Sequence, residues 1–175
     1  MVDPGVIGTA LPRSERDILV HGTAAQVEFE NAGPPNSIQY RGWGAVVVAE
    51  NQHAWVHLPI PVTIDIPARI AVSGGTTPFS DLDRLLRLEV FYEVPPAGEV
   101  RNLHLWDGGT RFFFWDFPDP HPPDIQIGST ELTWRGNREL GESLGVSIGV
   151  IFPTAIDSAE PPSSFTLFSA RAHLE

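Results

Sequence analysis

Short runs of alternating hydrophobic and polar residues recur along the chain and predict β-strands. The clearest are Leu86–Val94, with a polar outer face, and Gly145–Phe152, whose second face carries only glycine and serine before Ile151. Between them, Val100–Phe117 has two apolar and aromatic runs on either side of Asp107-Gly108-Gly109. This segment predicts a hairpin, because these turn residues favour the positive φ of a tight connection.

These runs are separated by segments rich in proline and glycine, and no segment shows the period of a helix of three turns. About eight strands that each hide one apolar face predict an all-β, antiparallel β-sandwich or jelly roll. A closed β-barrel is the alternative architecture. We expect residues 1–17 to form an N-terminal arm and residues 18–175 to form a single β-sandwich domain.

Two further segments have glycines within an apolar pattern. Ile18–Phe29 changes the parity of its apolar positions at His21-Gly22, which predicts one strand with a bulge or kink at the glycine. Ile38–Val48 contains Gly42-Trp43-Gly44 and predicts a strand whose backbone approaches a bulky group.

Histidines and tryptophans share strand faces in two places. Because side chains alternate with period two, His53, Trp55 and His57 lie on one face of their strand. His104 and Trp106 share a face in the same way, opposite Leu103 and Leu105. We call these five residues, His53, Trp55, His57, His104 and Trp106, the His/Trp face.

A His/Trp face on neighbouring strands is typical of a ligand-binding surface. Trp55 and Trp106 would stack on a small molecule, glycan or partner subunit, and His57 and His104 would supply hydrogen bonds. The small residues of Gly145–Phe152 would leave room for a pocket. The remaining candidate ligand-binding residues are Trp43, His21 and Ser147. The alternative interpretation is structural: the tryptophans fill the second side of a sandwich or a subunit interface.

The same residues also allow an enzyme without an organic cofactor, such as an isomerase, cyclase or hydrolase of a small metabolite. In that case His57 or His104 acts as general base and Asp107 orients it. Asp107 also has a structural explanation, since aspartate is favoured in turns. Gly145-Val-Ser147-Ile-Gly149 resembles a nucleophile elbow only superficially, because the strand pattern continues through the serine.

Composition excludes several kinds of chemistry. The chain has no cysteine, and all 11 of its basic residues are arginine. Disulfides, thiolate nucleophiles and lysine Schiff bases are therefore excluded. A formal net charge of -11 with scattered arginines argues against nucleic acid as a partner.

Metal, cofactor and membrane signals are weak. His53 and His57 would lie about 13 Å apart on a strand, too far to share an ion, so only a cross-strand pair such as His57 with His104 comes into question. We predict no metal and no cofactor. The sequence contains neither a secretory signal nor an apolar membrane segment, so we expect a cytoplasmic protein without membrane contact. Assembly into a homo-oligomer is left open by the sequence.

Several short motifs occur in a characteristic order. They are His21-Gly22, Gly42-Trp43-Gly44, Trp55-Val-His57-Leu-Pro59-Ile60-Pro61, Leu103-His104-Leu-Trp106-Asp107-Gly108 and Gly145-Val-Ser147. With these motifs the chain resembles an uncharacterised family of small bacterial all-β proteins. The resemblance spans most of the chain from about Ile18 onward and implies a fold, since that family has no assigned activity.

Overall fold

A computed structural model describes residues 15–33, 36–62, 83–94, 98–153 and 163–175. Within these ranges the chain forms strands joined by turns, with one short 3₁₀ turn at Gly22–Ala24. The strands are β1 Arg16–His21, β2 Gln26–Phe29, β3 Ser37–Arg41, β4 Gly44–Val48, β5 Gln52–Ile60, β6 Arg84–Glu93, β7 Glu99–Asp107, β8 Thr110–Asp116, β9 Ile125–Ile127, β10 Glu131–Glu139, β11 Leu144–Phe152 and β12 Ser164–Leu174.

The strands form two antiparallel sheets. The larger sheet has seven strands in the order β3-β4-β12-β6-β10-β9, with β1 also paired to β12, and the smaller has the order β2-β5-β11-β7-β8. The predicted all-β, antiparallel sandwich is therefore confirmed, and the sheets do not close into a barrel. The described residues contain twelve strands instead of about eight, in part because the predicted strands Ile18–Phe29 and Ile38–Val48 are each divided into two.

A single hydrophobic core lies between the two sheets. The smaller sheet contributes alternate residues such as Val56 and Leu58 of β5 and Ile148 of β11, and the larger sheet contributes residues such as Leu88 and Val90 of β6. Each such side chain is fully buried, and burial of one contributes about 1.5–3 kcal/mol. Because the core uses one face of the smaller sheet, the alternate residues of the same strands must face outward.

The central hairpin and the small-residue strand are confirmed. Strands β7 and β8 pair around a turn in which Gly108 has a φ of 55°. This left-handed conformation is easily adopted by glycine, which explains the Asp-Gly-Gly sequence at the turn. Strand β11 covers nearly the residues that the alternating pattern predicts.

The prediction of one kinked strand over Ile18–Phe29 is wrong. The chain leaves the larger sheet at His21, makes the 3₁₀ turn and enters the smaller sheet as β2. The two sheets face the core from opposite sides, so the parity of the apolar positions changes between β1 and β2. Gly22 is buried at this crossing, and a methyl group there would overlap the carbonyl oxygen of Leu167. The glycine thus allows two backbones to approach closely.

The segment Ile38–Val48 is also two strands rather than one. Strands β3 and β4 form a hairpin whose turn contains Gly42 and Trp43. Gly44 approaches the backbone of β12, because a methyl group there would overlap the carbonyl oxygen of Leu167. The group that the glycine approaches is therefore main chain and not a bulky side chain.

The N-terminal boundary differs slightly from the expectation. Strand β1 begins at Arg16, so the last two residues of the predicted arm belong to the larger sheet. Residues 1–14 of the arm lie outside the described residues. None of the helical segments in the described ranges is long and apolar enough to cross a membrane.

Candidate functional site

The His/Trp face is assembled around β11, on the side of the smaller sheet that faces away from the core. Strands β5 and β7 are not direct neighbours: each pairs with β11, which lies between them. Ser147 is the register partner of His57 on β5 and of His104 on β7. These three side chains therefore form one row across three strands, since residues paired in register project on the same side of a sheet.

Small residues on β11 allow the side chains of the flanking strands to meet above it. His53 Nε2 and Asn102 Oδ1 approach to 3.0 Å directly over Gly149. A methyl group on Gly149 would lie 2.5 Å from His53 Nε2 and 2.8 Å from Asn102 Cβ, so any larger residue would displace them. Trp106 lies over Gly145 in the same way, with its Cβ 3.3 Å from the position of an added methyl group.

Two members of the His/Trp face converge on the hydroxyl group of Ser147. Trp106 donates its indole Nε1–H to Ser147 Oγ at 3.1 Å, and His57 Nδ1 lies 2.9 Å from the same oxygen. Because an indole nitrogen only donates, the hydroxyl accepts from Trp106 and has its own proton to give to His57 Nδ1. This arrangement selects the His57 tautomer that carries its proton on Nε2.

The other nitrogen of His57 points toward Glu28 on β2. The distance from His57 Nε2 to Glu28 Oε2 is 3.6 Å, too long for a direct hydrogen bond but short enough for charge attraction when the imidazole is protonated. The Glu28 side chain is 75% exposed and the His57 side chain 39% exposed. The His57 side chain is thus partly accessible to a ligand.

A second hydrogen-bonded chain runs along the other end of the face. Asp116 Oδ1 accepts from Asn102 Nδ2 at 2.7 Å and lies 2.8 Å from His104 Nε2. Burial alone would raise the pKa of Asp116, but the hydrogen bonds from Asn102 and His104 outweigh it and lower that pKa below its usual value. Asp116 therefore remains a carboxylate that fixes the orientation of His104 and, through Asn102, of His53.

Aromatic rings surround His104. Its imidazole centroid lies 4.7 Å from the Trp55 ring and 6.3 Å from the Trp106 ring. His104 is buried, at 9% exposure, whereas the two tryptophans are half-buried. Trp55 and Trp106 lie on the face opposite the hydrophobic core, so they do not fill the interior of the sandwich.

An open cavity of about 190 Å³ lies at one end of this face, next to the hydroxyl group of Ser147. It is lined by Gln26 of β2, His57 and Pro59 of β5, and Gly145 and Ser147 of β11. The cavity therefore brings an amide, an imidazole and a hydroxyl together within one small space.

Three of the predicted site residues lie elsewhere. The carboxylate of Asp107 accepts hydrogen bonds from the main-chain N–H groups of residues 141–143, at 2.8–3.3 Å, and so holds a loop instead of orienting a histidine. His21 ends β1 and caps the 3₁₀ turn through Thr23. Trp43 is 53% exposed on the β3–β4 turn and contacts Phe168.

The geometry does not support a nucleophilic role for Ser147. Strand β11 is paired along both edges, from Leu144 to Phe152 with β5 and from Leu144 to Ile151 with β7. Its main-chain N–H groups therefore belong to the ladders and cannot stabilise an oxyanion beside the serine. No group of three or more metal-ligating side chains occurs in the described ranges.

Sequence reasoning missed the groups that connect the face into a network. Asn102 could have been found, because it shares the parity of His104 and Trp106 on the same strand. Asp116 lies on the second strand of the predicted hairpin, opposite Asn102, so its approach to His104 could have been found as well. Glu28 could not, because it reaches His57 from β2 and the strand order cannot be derived from the local pattern.

Together the fold and the site define an antiparallel β-sandwich with a histidine- and tryptophan-rich outer face. No protein-family model and no curated protein matches the chain, so the resemblance to an uncharacterised bacterial family stays a prediction. Among solved structures, the chain is similar to an exo-β-1,3-galactanase from Phanerochaete chrysosporium, crystallised with galactose, at 12% identity and a TM-score of 0.38. The match covers 94% of this chain and 30% of that one, and a similarity this low carries no argument about function.

Proposed function

We propose that the chain is a ligand-binding module whose His/Trp face holds one ring of a glycan or of a similar polyhydroxylated small molecule. The observation that carries this proposal is the convergence of His57 and Trp106 on Ser147 Oγ beside an open cavity. The volume of about 190 Å³ is below the roughly 300–1,000 Å³ of sites for drug-sized ligands, which favours a single small ring.

The polar groups around the cavity suit a ligand with several hydroxyl groups. Gln26 offers an amide donor and acceptor, His57 offers Nε2–H, and Ser147 Oγ retains an acceptor lone pair after binding Trp106. A sugar hydroxyl both donates and accepts, so adjacent hydroxyls match this mixed set. The indole of Trp106 binds the same hydroxyl group and is half-buried on the same face, so its exposed part can stack on the C–H face of a sugar ring that extends beyond the cavity.

Charge favours a neutral ligand over an anionic one. The chain has a formal net charge of -11, and the carboxylates of Glu28 and Asp116 lie at the two ends of the face. A carboxylate or phosphate on the ligand would be repelled by these groups. We therefore expect neutral sugars to bind in preference to uronic acids or sugar phosphates.

The test is a titration of the protein with a panel of neutral methyl glycosides, in which binding is monitored by amide chemical shifts in ¹H–¹⁵N spectra. A bound glycoside should shift the amides of Gly145, Ser147 and Gln26 in a saturable way. Ser147→Ala should weaken binding about tenfold, because the serine is both a ligand contact and the support of His57 and Trp106.

His21→Ala is the matched control, since it removes an imidazole from the larger sheet and should leave the affinity unchanged. Binding that produces shifts only outside the cavity would contradict the proposal. So would wild-type affinity in the Ser147→Ala variant.

A second candidate function is acid–base catalysis on a small metabolite, with a histidine as general base. The observation in its favour is the pairing of His104 with Asp116 at 2.8 Å, which orients the imidazole as a catalytic carboxylate would. The burial of His104 under Trp55 limits the access of a substrate and favours the binding proposal. Turnover of a bound ligand that is abolished by His104→Gln without loss of binding would establish the enzyme instead.

A further inference from the structure

A second and larger cavity lies at one end of the sandwich, where β6 of the larger sheet meets β7 and β8 of the smaller one. Its volume is about 370 Å³, which is within the range of small-molecule sites. Aromatic and aliphatic side chains form its walls, among them Tyr92, Val100, Trp115 and Ile127.

The polar atoms in the walls are already used within the protein. Tyr92 donates its hydroxyl to the carbonyl oxygen of Gly128 at 2.7 Å, and burial raises the pKa of that hydroxyl, so it stays a neutral donor. Trp115 donates its indole N–H to the carbonyl oxygen of Asp119 at 2.9 Å. Since these groups need no further partner, the walls present mainly apolar surface to a ligand.

The charge at this end is also balanced. Glu99 is the one carboxylate among the described lining residues, and Arg101 binds it at 2.9 Å. The same guanidinium lies 4.2 Å from the centre of the Phe117 ring and covers one of its faces. A charged ligand would therefore find no unpaired opposite charge in the described walls.

Two polar side chains on the rim are not used in this way. The imidazole of His121 packs edge-on against Trp115, with ring centroids 4.6 Å apart, and Ser129 lies in the exposed turn between β9 and β10. In the described part of the chain, neither side chain has a hydrogen-bond partner. Both can thus receive the polar group of a ligand whose apolar part enters the cavity.

We propose that this cavity is a second binding site, for an uncharged small molecule with an apolar ring system and one hydrogen-bonding group. The ring system contacts Val94, Phe117 and Ile127, which line the cavity and are partly exposed, and the polar group contacts His121 or Ser129. This site does not depend on the His/Trp face, which lies on the outer side of the smaller sheet.

The probe for the test is 2-naphthol, which is uncharged at neutral pH and combines a fused ring with one hydroxyl group. Amide shifts of Val100, Gly128 and Ser129 should change in a saturable way as 2-naphthol is added. Ser129→Trp places an indole at the mouth of the cavity and should weaken binding at least about tenfold. Thr130→Trp adds the same ring at the next position, which does not line the cavity, and should leave binding unchanged.

His121→Ala is the second variant, chosen because the ring is exposed and its loss does not open the core. It should weaken binding about threefold. Trp106→Phe should have no effect, because it changes only the His/Trp face. The proposal is overturned if the wild type gives no saturable shifts, if the shifts fall on the His/Trp face, or if Ser129→Trp binds the probe as Thr130→Trp does.

Discussion

The hydroxyl group of Ser147 forms hydrogen bonds with both His57 and Trp106, and its replacement by alanine should therefore lower the stability of the fold. Ser147 is 5% exposed and accepts the indole N–H of Trp106. An orphaned buried donor costs about 1–3 kcal/mol, and a half-buried indole that can reach some water falls near the lower limit. Loss of the hydrogen bond to His57 should cost less than the orphaned indole N–H group. Together we expect Ser147→Ala to reduce the free energy of unfolding by about 1–2 kcal/mol.

Trp106→Phe removes the donor itself and some buried ring area, so it should cost about 1–2 kcal/mol on its own. In the double variant no N–H group is left without an acceptor. The double variant should therefore be about 1 kcal/mol more stable than the sum of the single effects predicts.

The assay is equilibrium urea unfolding followed by far-UV circular dichroism, since tryptophan fluorescence changes with the substitution. The control cycle combines Ser147→Ala with Trp43→Phe, because Trp43 is on the larger sheet. Those two effects should add within about 0.3–0.5 kcal/mol. An equally additive result for Ser147 and Trp106 would refute the shared hydrogen bond.

Three further changes test other parts of the structure. Gly22→Ala should destabilise the fold by about 3 kcal/mol in urea unfolding, because the methyl group overlaps main chain. Gly42→Ala is the control and should not destabilise the fold, because a methyl group at Gly42 meets open space. Equal losses of stability in the two variants would contradict the crossing at Gly22. Gly149→Ala should cost about 1–3 kcal/mol by displacing Asn102, and a neutral result would contradict the contact over β11. Because the pKa of Asp116 is lowered by folding, its carboxylate stabilises the fold above its ordinary pKa of about 3.9. This stabilisation is lost as pH falls through the lower folded value, so the wild type should lose more stability below about pH 4 than Asp116→Asn does.

Local pattern was sufficient to predict the strands whose two faces differ strongly. Strand β11 alternates large apolar residues with glycine and serine over most of its length. The turn of the β7–β8 hairpin is predicted by Asp107-Gly108-Gly109, where Gly108 has a positive φ. The His/Trp face followed from the same period of two. Its residues were correctly grouped on one side of each strand, because alternation is a property of the single strand.

The strand order could not be predicted, and the site depends on it. Strands β5 and β7 are separated by β11, which comes about forty residues after β7, so nothing local places Ser147 between His57 and His104. The crossing at Gly22 was misinterpreted for a related reason. A change of parity fits both a bulge and a passage to the opposite sheet, and only the strand pairing distinguishes them, since β1 pairs with β12 and β2 with β5.

The most direct measurement is a crystal structure of the protein soaked with the glycoside that gives the largest amide shifts. We expect density for a sugar ring in the cavity beside Gly145, with hydroxyl groups within hydrogen-bond distance of His57 Nε2 and Ser147 Oγ. A sugar bound elsewhere, with this cavity filled by the side chain of Trp106, would contradict the proposal.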